Sequence, residues 1–297
     1  MCRMFIVALL LLSLPVAATT VYRYQDADGR WHFSDKKPAG NQPVQQQQLA
    51  MAQADSAAPR LQVGEDNGEW VLQAINPYPA PVELAFLPVP GSGQAVRRLL
   101  PPLSTTIVWR PLTDRRARIE HHFMLGDPAA QADDTAYRVP VPVNGLYRIT
   151  QAFAGRFSHA EEPNRYAVDI DVPVGTEVLA ARDGVVVLVR QNYVLDGVGD
   201  YFADKANMIQ VLHEDGTLGV YAHLLNDSAR VSAGDTVRAG QPLARSGSSG
   251  YSTGPHLHFV IWQNTGMAYR SVPFRFVIDS EDAWQPQAGM LLAPPHD

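Results

Sequence analysis

The chain has 297 residues, 46% of them hydrophobic and 18% charged, with a formal net charge of -6 and one cysteine. That length holds two domains, or a large and a small one, in the proportions of an ordinary soluble globular protein. The acidic balance excludes the basic face that a nucleic-acid partner demands, and it offers no attraction to an anionic membrane surface.

At the N-terminus, Arg3, the apolar run from Phe5 to Leu14 and the small residues Val16-Ala17-Ala18 read as a secretory signal, residues 1–18, with cleavage after Ala18. The run is too short to cross a hydrocarbon layer about 30 Å thick, so no transmembrane anchor is expected after cleavage. Cys2 precedes the run and leaves with it, so the mature chain carries no disulfide and no thiol ligand. Export without cysteine suits the periplasm or cell envelope of a bacterium, with stability drawn from the core. Residues 19–38 alternate apolar and polar positions on both sides of Asp26-Ala27-Asp28-Gly29, which predicts a hairpin. This block resembles a short module of unknown function found at the N-terminus of exported bacterial proteins, with Tyr24 where tryptophan is usual. Residues 39–60, rich in Gln, Ala and Pro, read as a flexible linker.

From 61 to 142 short alternating segments broken by prolines, such as Trp70 to Ile75 and Thr106 to Trp109, predict a β-sandwich-like accessory domain. His121 and His122 are adjacent, so a strand would point them to opposite faces, and they read as surface or structural residues. Residues 143–280 are expected to be nearly all β. The strong strands are Gly184 to Arg190, Met208 to His213, Leu218 to His223 and His256 to Trp262, and residues 281–297 are left as a C-terminal tail. Gly234 and Gly240 would permit tight turns that point Val237 and Leu243 inward. No helical stripe of useful length occurs outside the signal.

The chemistry concentrates at Gly254-Pro255-His256-Leu257-His258-Phe259. Side chains at i and i+2 share a face of a strand, so His256 and His258 can present two imidazoles to one point. Neutral imidazole binds a metal, and a second ring can move protons near neutral pH. A His-x-His pair alone also fits a solvated polar face. Two further apolar runs, however, carry metal-capable groups, namely His223 in Val220 to Leu224 and Asp169 in Tyr166 to Ile170. A carboxylate among apolar residues needs a partner or a metal.

These segments lie in a stretch of about 120 residues that resembles the lysostaphin and LytM type of zinc metallopeptidase, a family of peptidoglycan endopeptidases. The resemblance is carried by Tyr166-Ala167-Val168-Asp169, Pro173 to Val178, Ala181 to Val186, His213 to Gly216, Tyr221-Ala222-His223-Leu224, the Gly234-Asp235 and Gly240-Gln241 repeat, and Ser252 to Phe259. It implies an all-β chain whose C-terminal peptidase domain is an antiparallel β-sheet and barrel-sandwich hybrid. It also implies Asp169 and His258 as zinc ligands, with His223 and His256 as catalytic residues that do not bind the metal. The family's remaining ligand, a histidine four residues before the aspartate, falls on Arg165, which cannot ligate. His159, ten residues before Asp169, is the expected replacement, reached by looping out Ala160 to Asn164. Glu161 and Glu162 read as solvated neighbours rather than a catalytic pair.

The expected activity is hydrolysis of peptide bonds in peptidoglycan, cross-links or stems, by metal-activated water, with His223 and His256 sharing proton transfer and oxyanion contact. The accessory domain would position the enzyme, occlude it or bind a protein regulator, and the insertion from Tyr193 to Lys205 could wall the groove. Two rivals stand beside this. An inactive relative that activates cell-wall amidases is favoured only by Arg165. A biotinyl or lipoyl carrier lacks the required lysine at Arg238-Ala239-Gly240.

Overall fold

The structure, a computed structural model, describes residues 18–25, 31–34, 37, 43–50, 58–87, 95–114, 116, 118–143, 146–278 and 282–292. The expected signal, except Ala18, and the turn of the N-terminal hairpin lie outside these. Two compact units divide the chain, Met1–Ala54 and Asp55–Asp297. Among the described residues the only helical element is a three-residue 3-10 turn at Asp200–Phe202, as an all-β reading requires. No helix of the described residues is long and apolar enough to cross a membrane.

The first unit contains β1 (Ala18–Gln25), β2 (Trp31–Ser34) and β3 (Val44–Ala50), in the order β2-β1-β3. The β1–β2 hairpin pairs Tyr24 with His32, as expected. β3, however, falls inside the stretch read as linker, and Gln45 to Gln48 pair with Arg23 to Thr20. Glutamine-rich composition suggested a flexible coil, but backbone pairing with β1 makes this segment a strand.

In the second unit, β4 (Arg60–Asp66), β5 (Glu69–Asn76), β6 (Val82–Phe86), β7 (Val96–Leu100), β8 (Ser104–Trp109) and β9 (His121–Leu125) form two three-stranded sheets, β4-β5-β8 and β7-β6-β9. Their inward residues, among them Leu72, Leu84, Phe86, Leu100 and Val108, join one cluster. That cluster also takes in Val187, Leu188 and Leu218 from the sheet that follows.

The remaining strands are β10 (Tyr137–Arg138), β11 (Tyr147–Gln151), β12 (Val168–Asp171), β13 (Glu177–Leu179), β14 (Gly184–Arg190), β15 (Asp196–Gly197), β16 (Met208–Leu212), β17 (Leu218–Ala222), β18 (Thr236–Val237), β19 (Pro242–Arg245), β20 (Gly250–Tyr251), β21 (Leu257–Asn264), β22 (Tyr269–Ser271), β23 (Phe276–Val277) and β24 (Leu291–Leu292). A nine-stranded sheet runs β18-β14-β16-β17-β21-β12-β11-β24, with β22 also on β21. Its core contains Ile149, Val168, Ile170, Tyr221, Leu257, Phe259 and Ile261, all fully buried. Each such side chain contributes about 1.5–3 kcal/mol by leaving water. Val237 and Leu243 point into this core, and Gly234 turns at φ 101°, as the repeat predicted. The segment read as a tail instead supplies β24, which pairs Leu292 with Tyr147, and Trp284 bridges to Phe276. Leu292 is buried in the core, so this stretch completes the sheet edge.

Candidate metal centre

β17, β21 and β12 are neighbours, and their register sets His258 opposite both Ala222 and Asp169. His223 follows Ala222, and His256 enters β21 through a bridge to Gly247. Leu257 and Phe259 enter the core, so alternation leaves His256 and His258 on the other face. The same rule, applied to Val168 and Ile170, puts Asp169 there too.

His258 Nδ1 lies 2.8 Å from Asp169 Oδ1, and His159 Nε2 lies 3.3 Å from the same oxygen. One ligand atom from each of these three buried residues falls within 4.8 Å of the other two. His159 is brought back by a compact turn. Its amide donates to Gly155 O, Ala154 N donates to Arg165 O, and Ala167 N donates to Asn164 O. Arg165 occupies the usual ligand position but is exposed. Glu161 and Glu162 are exposed as well, and Glu162 Oε2 accepts from both the amide and the hydroxyl of Ser271 at 2.7 Å and so anchors this turn.

The donor set fits a cation. His159 Nδ1 donates to Ala152 O at 3.1 Å, so in the neutral ring Nε2 holds a lone pair. That nitrogen is buried with no hydrogen-bond partner, beside a carboxylate oxygen. Two lone pairs facing at that range repel unless a cation stands between them. Two imidazoles and one carboxylate suit zinc and leave a fourth position for water.

His223 and His256 stand next to this triad, with ring centroids 4.5 Å apart, and His223 is 5.7 Å from His258. His223 Nδ1 donates to Ser249 O at 2.7 Å, and His256 Nδ1 donates to Gly254 O at 2.8 Å. Each ring therefore turns a bare Nε2 elsewhere, and that of His256 lies 3.8 Å from Asp169 Oδ1. The backbone of His223 has φ 61°, a left-handed conformation that costs a β-terminal histidine of order 1 kcal/mol and is typical of functional positions.

Electrostatics follow from burial and these contacts. Burial by itself raises the Asp169 carboxyl, but the neighbouring His159 and His258 outweigh it and hold the group well below the usual range. Burial pushes His258 down despite Asp169. Burial also pushes His223 down to about 3, helped by the neighbouring His256 and His258.

Three features were not visible as site residues in the sequence. Gln151, opposite Asp169 across β11 and β12, donates to Asp169 Oδ2 at 3.0 Å. Asp196, within the insertion, accepts from Ser248, whose hydroxyl lies 3.1 Å from Ser252 Oγ. Ser252 donates to Gly254 O, the carbonyl that holds His256. The insertion is pinned beside the site by pairing of β15 with β20, consistent with a groove wall. His121 and His122 lie elsewhere, along an open groove with Ala85, Phe123 and Met267.

An all-β sheet carrying a His/Asp/His triad and two flanking histidines defines a metallopeptidase-like centre. Residues 163–269 match Peptidase family M23, and the chain carries a domain of that family. His159 lies just outside the matched stretch, whereas the other four site residues lie within it. Residues 8–62 match a domain of unknown function, DUF4124. Among curated proteins, 97 residues are 41% identical to the glycyl-glycine endopeptidase ALE-1 of Staphylococcus capitis, covering 32% of this chain and 24% of that protein. Another 121-residue match is 32% identical to the peptidoglycan DD-endopeptidase ShyA of Vibrio cholerae, covering 40% and 25%. An uncharacterized metalloprotease of Buchnera aphidicola is 31% identical over 119 residues, covering 39% and 28%. The chain thus spans about a quarter of the length of the curated relatives it matches. The catalytic domain of lysostaphin from Staphylococcus simulans is 27% identical, covering 43% of this chain and 88% of that one, with a TM-score of 0.31.

Proposed function

We propose that this protein is an exported zinc metalloendopeptidase that hydrolyses peptide bonds of bacterial peptidoglycan in the cell envelope. The observation that carries the reading is the convergence of His159, Asp169 and His258 within 4.8 Å beside His223 and His256. The substrate rests on the likeness to endopeptidases that are named for peptidoglycan or glycyl-glycine bonds. Peptidoglycan lies outside the cytoplasmic membrane, so that substrate agrees with the signal read at residues 1–18.

His159 Nε2, His258 Nδ1 and an Asp169 oxygen would hold the zinc. When bound, the metal supplies Lewis acidity that makes water nucleophilic near neutral pH and polarises the scissile carbonyl. His223 and His256 spend their Nδ1 protons on backbone carbonyls, so their free Nε2 atoms are acceptors for the proton of the attacking water. A ring that has taken that proton can return it to the leaving amine. The oxyanion contact first expected of the second histidine requires that same protonated form, because a neutral ring in this orientation has no N–H left to offer. The position of His159 supports this reading over a metal-free amidase activator, since it offers the donor that Arg165 lacks.

The test is metal content of the mature protein together with peptide release from isolated peptidoglycan, for wild type and His159→Ala. Stoichiometric zinc and chelator-sensitive cleavage in wild type only is the expected result. Absence of both from wild type would sink the proposal.

A further inference from the structure

The unusual ligand spacing raises a mechanical question. A histidine four residues before Asp169 would sit just ahead of the strand that carries Asp169, whereas His159 is ten residues away on a turn. Some other group must keep the two donors in register. One side chain touches both. Gln151 Nε2 donates to Asp169 Oδ2 at 3.0 Å and to Ser158 Oγ at 2.7 Å. Its Oε1 accepts from the amides of Phe157 and Ser158 at 3.1 and 3.3 Å. Both amide hydrogens and both lone pairs of that carboxamide are thereby used. They run to the carboxylate ligand on one side and to the two residues before His159 on the other.

Two local features make this arrangement possible. The ladder between β11 and β12 slips between Ile149 and Gln151, so Ile149 faces Ile170 in the core while Gln151 faces Asp169. A bulge of this kind re-aims one side chain without breaking the sheet. Gly155 supplies the space, because a Cβ there would stand 2.3 Å from Gln151 Cγ.

We infer that Gln151 is the positioning residue of the metal centre, tying Asp169 to the turn that carries His159 so that the distant histidine works as a ligand. This rests on the zinc reading above but is separable from it. Partners of this kind typically change metal affinity by 10–100-fold when removed. Gln151→Leu keeps the bulk and removes all four hydrogen bonds. Gly155→Ala leaves the glutamine in place but drives its side chain from its seat.

The full-length mature protein is tested in two ways. In metal-free protein, amide hydrogen exchange at Phe157 and Ser158 should be slow, and at least tenfold faster in both variants. Competition with a chromophoric chelator should then show zinc bound about 10–100-fold more weakly by each variant, at a thermal midpoint for the metal-free protein close to that of wild type. Fast exchange at those amides in wild type overturns the inference, as does wild-type zinc affinity in Gln151→Leu. Slow exchange that is lost in the variants, in a wild type that takes up no zinc, supports the tie and overturns the metal reading alone.

Discussion

His213 offers a quantitative check on the interior, away from the metal centre. It is 3% exposed, packs edge-on against Tyr137, and donates from Nδ1 to Asp183 O at 2.8 Å. Its Nε2 is buried without a partner, so a proton added there would be a buried charge. Burial accordingly pushes its pKa from 6.5 down to about 4, with Arg182 adding to the effect. The unfolded chain therefore binds more protons than the folded one between about pH 6.5 and pH 4, and stability falls as pH drops through that window. A depression of about 2.5 units corresponds to a loss of roughly 3 kcal/mol once pH reaches about 4. His213→Asn keeps a donor near the Nδ1 position and removes the titrating ring. Other groups titrate equally in both proteins, so the difference in unfolding free energy isolates this histidine. Urea unfolding of the metal-free proteins, followed by circular dichroism between pH 7.5 and pH 4, should show the wild-type advantage shrinking by roughly 3 kcal/mol. A difference that stays constant to within about 0.5 kcal/mol across that range would refute the reasoning.

Arg165→His should fail to rescue the zinc binding lost in His159→Ala, because residue 165 is exposed and its backbone is tied to Ala154 in the turn; recovered zinc in the double variant, by atomic absorption, would contradict the geometry. Asp196→Ala should lower kcat on the order of tenfold with KM and zinc content kept, since it loosens the Ser248–Ser252 support behind His256, while Asp196→Asn retains an acceptor and most of the rate. Unchanged kcat in the alanine variant would dismiss that support. Leu84→Ala, at a fully buried position of the shared accessory cluster, should cost about 2–5 kcal/mol and lower the same calorimetric transition in which the metal is released. Separate transitions for the accessory strands and for metal release would show that the cluster is not one cooperative core.

Alternation made most of the site legible. His256, His258 and Asp169 each sit among apolar residues whose period of two sends them to one face, and the structure aligns them there. His159 needed the family resemblance, because a ten-residue excursion leaves no periodic trace. Gln151 was hidden for the opposite reason, in that strict alternation puts it on the core face with Ile149, and only the bulge moves it beside Asp169. β3 and β24 were read as linker and tail because composition was weighed above pairing, and pairing partners are not encoded locally. A usable signal for the shared core did exist. β14 is a run of Val and Leu, and β17 is buried at all five positions, the mark of strands covered on both faces.

That double coverage explains where the centre can form. β17 and β21 pair from Ala222 and His258 at one end to Leu218 and Trp262 at the other. Four residues of strand span about 13 Å. On the face opposite the main core, the far end is sealed by Ala167, Val220, Val260 and Trp262 and by the accessory cluster that Leu218 joins. The near end is left to polar groups that need partners or a metal. The accessory strands thus pack on the face that carries the histidines but at the end away from His258, where they add rigidity to the ligand-bearing strands. A metal centre whose ligands come from two strands and one excursion needs such a backing, because ligand geometry must hold to about 0.5 Å for function. On this packing the main core backs the ligand-bearing strands on one face, and on the other the accessory strands occupy one end and the histidines the opposite end.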